Sequence, residues 1–167
     1  MKEIFYFTMP WEPSDILVAG PAAVVSRICF LRGRSPEEAL ALLPSGWSLR
    51  REPAFLPGLQ EQLRRYLAGE PVEWKVPIEL AGGTDFQCAV WRELQKIPYG
   101  RTVSYGEIAV RLGKPGAMRA VGGANGANPL PIIIPCHRVV AASGGLGGYG
   151  GGLDVKRALL RLEGVTL

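Results

Sequence analysis

The only histidine in the chain directly follows a cysteine. Cys136-His137 stands at the end of the apolar run Ile132-Ile133-Ile134-Pro135 and is followed by Arg138-Val139-Val140. A thiolate is a soft, strong nucleophile, and a nearby imidazole can take the thiol proton and hold the resulting charge. That imidazole needs an acceptor on its other nitrogen to fix its tautomer. Residues 84–167 contain only five acids, and Glu163, beside the last helical pattern, is a candidate, the alternative being a solvated glutamate. The run 132–140 reads as a buried strand. Adjacent strand side chains point to opposite faces, so a Cys136–His137 link is expected to pass through a turn or a bridging water. Cys29, in an apolar run, and Cys88, one position from a buried helical stripe, read as core residues. One histidine and three scattered cysteines predict no protein metal site, and no cofactor is expected.

The elements around this pair carry clear start and stop signals. Thr84-Asp85-Phe86-Gln87 is a capping box, and Phe86, Val90, Leu94 and Ile97 follow at helical spacing until Pro98 and Gly100. Ser104-Tyr105-Gly106-Glu107 is a second capping box, with Ile108, Ala109 and Leu112 behind it and Gly113 as the stop. A short turn leads into a third helical stretch from Ala117 to about Ala124, so a helix-turn-helix is predicted. Adjacent Gly122 and Gly123 weaken that helix by roughly 1 kcal/mol each relative to alanine. A helix built this way suits close approach by another backbone, either a neighbouring helix or a nucleic-acid strand. Its only long polar side chain is Arg119. A last helix is predicted over 154–163, with Val155, Leu159 and Leu162 on one face.

The first half reads as a small α/β unit. Two β-branched runs flank Gly20-Pro21, Ser35-Pro36-Glu37-Glu38 opens a helix that stops near Pro44, and 56–68 is a second helix. Residues 72–80 are expected to be extended, with Pro77 marking an edge. Ala81-Gly82-Gly83 is the predicted boundary, giving domains 1–80 and 81–167.

With 167 residues, 47% hydrophobic, the chain can bury a core, which excludes a disordered tail, a coiled coil and a disulfide-stapled mini-protein. No apolar run approaches the roughly 20 residues of a membrane helix. The acidic start Met1-Lys2-Glu3-Ile4 and the odd cysteine count predict a cytoplasmic protein. Charge is lopsided: residues 1–83 hold 9 basic and 10 acidic residues, whereas 84–167 hold 10 and 5. Fourteen of the 22 glycines lie between Gly100 and Gly152. A basic second half fits either a nucleic-acid face or an ordinary solvated surface.

Taken together, these stretches resemble the O6-alkylguanine-DNA alkyltransferase family. The resemblance rests on Gly83-Thr84-Asp85-Phe86-Gln87, Val90-Trp91, Ile97 to Gly106, Arg119-Ala120-Val121-Gly122, Asn128-Pro129, Pro135-Cys136-His137-Arg138-Val139, and Gly148-Tyr149 followed by Lys156 and Leu159-Leu160. It covers nearly all of 83–163; the first 80 residues match only in general character. It implies an RNase H-like α/β N-terminal domain and a mostly α-helical C-terminal domain with a winged-helix-like helix-turn-helix. It implies repair by irreversible, one-time transfer of the alkyl group from O6-alkylguanine, and from O4-alkylthymine, to Cys136. His137 would act as base through a water, Glu163 would orient it, and Asn128 would brace the active-site turn. Tyr105 would crowd the target phosphate and donate to the leaving guanine. Arg119 would replace the flipped base in the stack, with Ser104, Ala120 and Gly123 on the DNA side. Pro131, Val139, Tyr149, Gly150 and Lys156 would form the base pocket, and the carbonyls of Cys136 and Val139 would receive the guanine amine. The partner would be double-stranded DNA carrying the lesion, bound by a monomer without a membrane. Gly150 stands where many relatives carry a larger side chain, so a roomier pocket tolerant of O6-benzyl adducts is expected. Asn125-Gly126, placed after the third helix, is also smaller than in many relatives. A helix-turn-helix regulator and a thiol hydrolase remain the competing readings of the residues themselves.

Overall fold

The computed structural model describes residues 2–41, 46–80 and 82–167, and the chain divides into two compact units, Met1–Ala81 and Gly82–Leu167. The predicted helix end near Pro44, and Ala81 of the predicted boundary, lie outside the described residues.

The first unit is built on a mixed sheet. Strands β1 (Lys2–Met9), β2 (Ile16–Gly20), β3 (Arg27–Phe30) and β4 (Trp47–Arg51) lie in the order β3-β2-β1-β4. The first three pair antiparallel, and β4 joins β1 in parallel. All of β2 is buried, which its uninterrupted apolar sequence requires. A side chain on Gly20 would sit 2.0 Å from the Val24 carbonyl, so only glycine admits the tight turn toward β3. Helix α1 (Pro36–Leu40) starts on the Ser35–Glu38 capping box, and α2 (Pro57–Leu67) buries Leu59, Leu63 and Tyr66. The expected extended segment 72–80 forms no strand. It makes one bridge, Val25 to Ile78. Gln62 of α2 bonds the Glu73 carbonyl and the Lys75 N–H, so this stretch is strapped to a helix by a side chain.

The second unit orders α3 (Asp85–Leu94), β5 (Val103–Ser104), α4 (Tyr105–Arg111), α5 (Met118–Gly126), a 3-10 turn (Cys136–Arg138), β6 (Val139–Val140) and α6 (Leu153–Leu162). Both predicted capping boxes are present, Thr84 with Gln87 and Ser104 with Glu107. Helix α5 packs against α3 and α4, and Trp91 of α3 donates its indole N–H to the Ala124 carbonyl at 2.8 Å. The parallel pair β5–β6 ties the start of α4 to the residues just after the cysteine.

Two expectations need correction. The third helix runs on to Gly126, so Asn125 and Gly126 belong to it. The run 132–140 is not a continuous strand: it folds as a turn with a Pro131–Ile134 bridge, the 3-10 turn and then β6. Pro129, Pro131 and Pro135 supply no N–H for a ladder, which breaks the strand pattern. Ile132 is fully buried at φ +76°, a conformation a β-branched residue adopts only when its surroundings impose it.

Candidate active site

The 3-10 turn presents Cys136, His137 and Arg138 as three buried residues in succession. Its start is pinned by the Ile134 carbonyl, which accepts from the Cys136 N–H at 2.7 Å and from Asn128 Nδ2 at 2.8 Å. Asn128 Oδ1 accepts from the Leu130 N–H at 3.0 Å, so one side chain clamps both ends of the strained loop. Cys136 is 4% exposed, with Sγ 3.8 Å from the Tyr149 hydroxyl. Burial pushes the thiol pKa up, while bonds from Asn128 and Tyr149 and the nearby Lys156 charge pull it down.

Behind the thiol lies an ionic hub. Glu163, C-cap of α6, is 5% exposed. Its carboxylate meets His137 Nε2 at 2.7 Å and accepts from Arg138 Nε at 2.9 and 3.2 Å and from Nη2 at 2.9 Å. The Gly100 N–H donates to the same carboxylate at 3.1 Å. Donation of Nε2–H to Glu163 selects the tautomer in which Nδ1 is the basic nitrogen. Burial lowers the His137 pKa below its ordinary value, against the pull of Glu163. The imidazole is therefore neutral at neutral pH and able to accept a proton.

This hub explains residues that carry no chemistry of their own. Arg138 also donates to the Ile97 carbonyl at 2.6 Å, and the Tyr99 hydroxyl donates to the Leu162 carbonyl at 3.1 Å. Gly100 sits at φ +73°, and a side chain there would meet the Glu163 carbonyl at 3.0 Å. The Ile97-Pro98-Tyr99-Gly100 segment is thus a cradle for the end of α6. The sequence reading missed Arg138 as a site residue. Its signal was a charged residue inside an otherwise apolar run, which demands a buried partner.

A cavity of about 550 Å³ opens between α4, α5 and the glycine-rich loop 141–152; Tyr105, Arg119, Gly122, Asn125, Tyr149 and Gly150 are among its lining residues. Tyr105 donates to the Gly148 carbonyl at 3.4 Å, and burial raises its pKa, so the phenol stays protonated. Lys156 is fully buried, and its ammonium donates to the carbonyls of Val139 (2.6 Å), Gly148 (3.2 Å) and Leu146. Burial lowers its pKa to about 8. The structure therefore brings Tyr149 and Gly150 to the cavity wall, whereas Val139, Pro131 and Lys156 are buried and are not among its lining residues. Across the mouth, a side chain on Gly150 would lie 3.5 Å from the Gly126 carbonyl.

Helix α5 turns Arg119, Ala120 and Gly123 outward, and Ser104 caps α4 beside it. Gly122 lies against the Tyr105 ring, while Gly123 faces open space. The basic excess of the second half is smaller at the surface than in the sequence, because Arg138 and Lys156 are both buried.

The family model described as "6-O-methylguanine DNA methyltransferase, DNA binding domain" matches residues 85–165. The methylated-DNA–protein-cysteine methyltransferase of Mycobacterium tuberculosis is 47% identical over 160 residues, 96% of this chain and 92% of the relative. The chain belongs to the methylated-DNA–protein-cysteine methyltransferase family. A second family member, from Methanosarcina acetivorans, is 45% identical over 95% of this chain and 96% of its own. The crystal structure of the M. tuberculosis protein in complex with DNA superposes with a TM-score of 0.82 at 45% identity, covering 96% of this chain and 92% of that one. The methyltransferase of Pyrococcus kodakaraensis superposes at 0.72 and 26% identity, covering 97% and 99%. Membership of this family sets aside both a sequence-reading regulator and a thiol hydrolase.

Proposed function

We propose that this chain repairs DNA by direct reversal, taking the alkyl group of O6-alkylguanine onto Cys136. The observation that carries the assignment to this residue is a buried thiol in contact with Tyr149 of the cavity wall, backed by a neutral imidazole whose tautomer a buried carboxylate selects. His137 takes the thiol proton through a bridging water, Glu163 orients His137, and Asn128 holds the loop that presents Cys136. The thiolate attacks the alkyl carbon, the S–C bond forms as the C–O6 bond breaks, and guanine leaves with a proton supplied at the ring. Tyr105 gives that proton, a role supported by its position on the cavity wall and by burial that keeps the phenol protonated. The product is a thioether with no reductive route back, so each molecule reacts once.

The O6 position is shielded inside a duplex, so the base must be flipped. The outward face of α5 suits the minor groove: Ala120 and Gly123 permit close approach, and Arg119 can fill the space left in the stack. Tyr149 and Gly150 line the pocket for the flipped base, with Pro131, Val139 and Lys156 supporting it. The small Gly150 favours acceptance of O6-benzyl adducts, and O4-alkylthymine belongs to the same substrate class. The N-terminal unit reads as RNase H-like, supported by three antiparallel strands with a fourth added in parallel. The α4–α5 pair with β5–β6 reads as winged-helix-like. The molecule acts as a monomer in the cytoplasm, where a nucleophilic thiol stays reduced.

Titrating the protein with an O6-methylguanine duplex tests this. Transfer should stop at one methyl per protein molecule, however much substrate is present. Continued turnover would overturn the one-time mechanism.

A further inference from the structure

Asn125 carries an acceptor that the protein itself leaves unfilled. The residue is 4% exposed, on the inner side of α5, and it lines the cavity. Its Nδ2 donates to the Cys136 carbonyl at 3.3 Å. A carbonyl can only accept, so this contact fixes which end of the amide is nitrogen. The other end, Oδ1, is buried and receives no hydrogen bond from the described residues. A buried polar atom left unmatched in a folded protein asks for an explanation, and a ligand donor is one that the adjoining cavity supplies. In O6-alkylguanine the 2-amino group is the only N–H donor on the base, and it has two hydrogens to give.

We infer that Asn125 is a specificity-determining residue for the alkylated base: its Oδ1 accepts a hydrogen bond from the 2-amino group as the base enters, while its Nδ2 keeps the Cys136 carbonyl in position. The inference rests on the function proposed above. It follows the rule that a site built to pair a substrate N–H discriminates against the analogue lacking it, because its own buried group is then left bare. Apolar residues at position 125 would bind the ring without sensing the amine.

The test compares two duplexes, one with O6-methylguanine and one with O6-methylhypoxanthine, which lacks only the 2-amino group. Single-turnover rate constants are measured for the full chain and for Asn125→Leu and Asn125→Asp. The native chain is expected to prefer O6-methylguanine. Asn125→Leu should shrink that preference about tenfold, mainly by slowing the O6-methylguanine reaction. Asn125→Asp keeps an acceptor and should retain most of the preference, even where it slows both reactions. Equal slowing of both substrates by Asn125→Leu, with the preference intact, overturns the inference and leaves Asn125 a brace for Cys136. Loss of preference in both variants alike also overturns it. Absence of methyl transfer to the native chain from either duplex would instead strike the proposed function itself.

Discussion

Replacing Glu163 with glutamine puts the ionic hub under direct load. The carboxylate is 0% exposed in its side chain and answers His137, Arg138 and the Gly100 N–H together. Glutamine keeps the shape and one acceptor oxygen. Its other end becomes a donor that must face a group which itself donates, either Arg138 or Gly100. The Arg138 side chain, 10% exposed, then stays charged in the interior without an anion. Removing one partner of a buried ion pair costs about 3–5 kcal/mol. At about 2–4 °C per kcal/mol for a chain of this size, Tm should fall by roughly 6–20 °C. The chemistry should suffer separately, because His137 loses the acceptor that selects its tautomer. General-base assistance is worth about 10²–10⁴-fold, so methyl transfer measured below both melting points should slow by roughly 10²-fold. Thermal unfolding and single-turnover transfer, run on the same preparation, read the two effects. A variant that melts within about 2 °C of the native chain and transfers at the native rate would refute the hub as described.

Arg119→Ala removes an exposed side chain, so stability should change by no more than about 0.5 kcal/mol. Transfer from duplex DNA should drop by at least about tenfold, while reaction with free O6-benzylguanine, which needs no flipping, should be unaltered; equal losses on both would remove Arg119 from base flipping. Gly123→Ala has open space for its methyl and should stabilise α5 by about 0.5–1 kcal/mol, seen as a higher Tm, yet weaken duplex binding by crowding the minor groove. Tighter binding in that variant would count against the bare-face account. His137, being the only histidine, gives one imidazole signal in a proton NMR titration, and its midpoint should lie below 6.5. Because its folded-state pKa is lowered, the unfolded chain binds the extra proton first; Tm should hold above about pH 6.5 and decline as pH falls below it. A midpoint at or above 6.5 contradicts a buried neutral imidazole.

What could be read from the sequence was mostly what is local. The Ser35 start signal and the Thr84 and Ser104 capping boxes fix three helix starts within four residues each, and all three helices begin there. The Cys136-His137 pair and the acid at 163 were also legible, because so few titratable groups exist in that half. Strand β4 was not anticipated: Trp47-Ser48-Leu49-Arg50-Arg51 is short and polar, and it becomes a strand only through its parallel pairing with β1. The tasks of Arg138, Tyr99 and Gly100 depend on partners 25 to 63 positions away, which no local pattern encodes. Residues 132–140 misled for a different reason. Their apolar content signals burial, which is correct, but the prolines deny the backbone a ladder, and burial there serves a strained turn.

The proposed repair reaction ends on one atom, the Cys136 sulfur. Native chain and Cys136→Ser should be incubated with an O6-methylguanine duplex, digested and weighed by peptide mass spectrometry. The peptide containing Cys136 should gain one methyl group in the native chain, with Cys29 and Cys88 unmodified, and no peptide of Cys136→Ser should gain any. A methyl on another residue, or an unshifted Cys136 peptide beside repaired DNA, would contradict it.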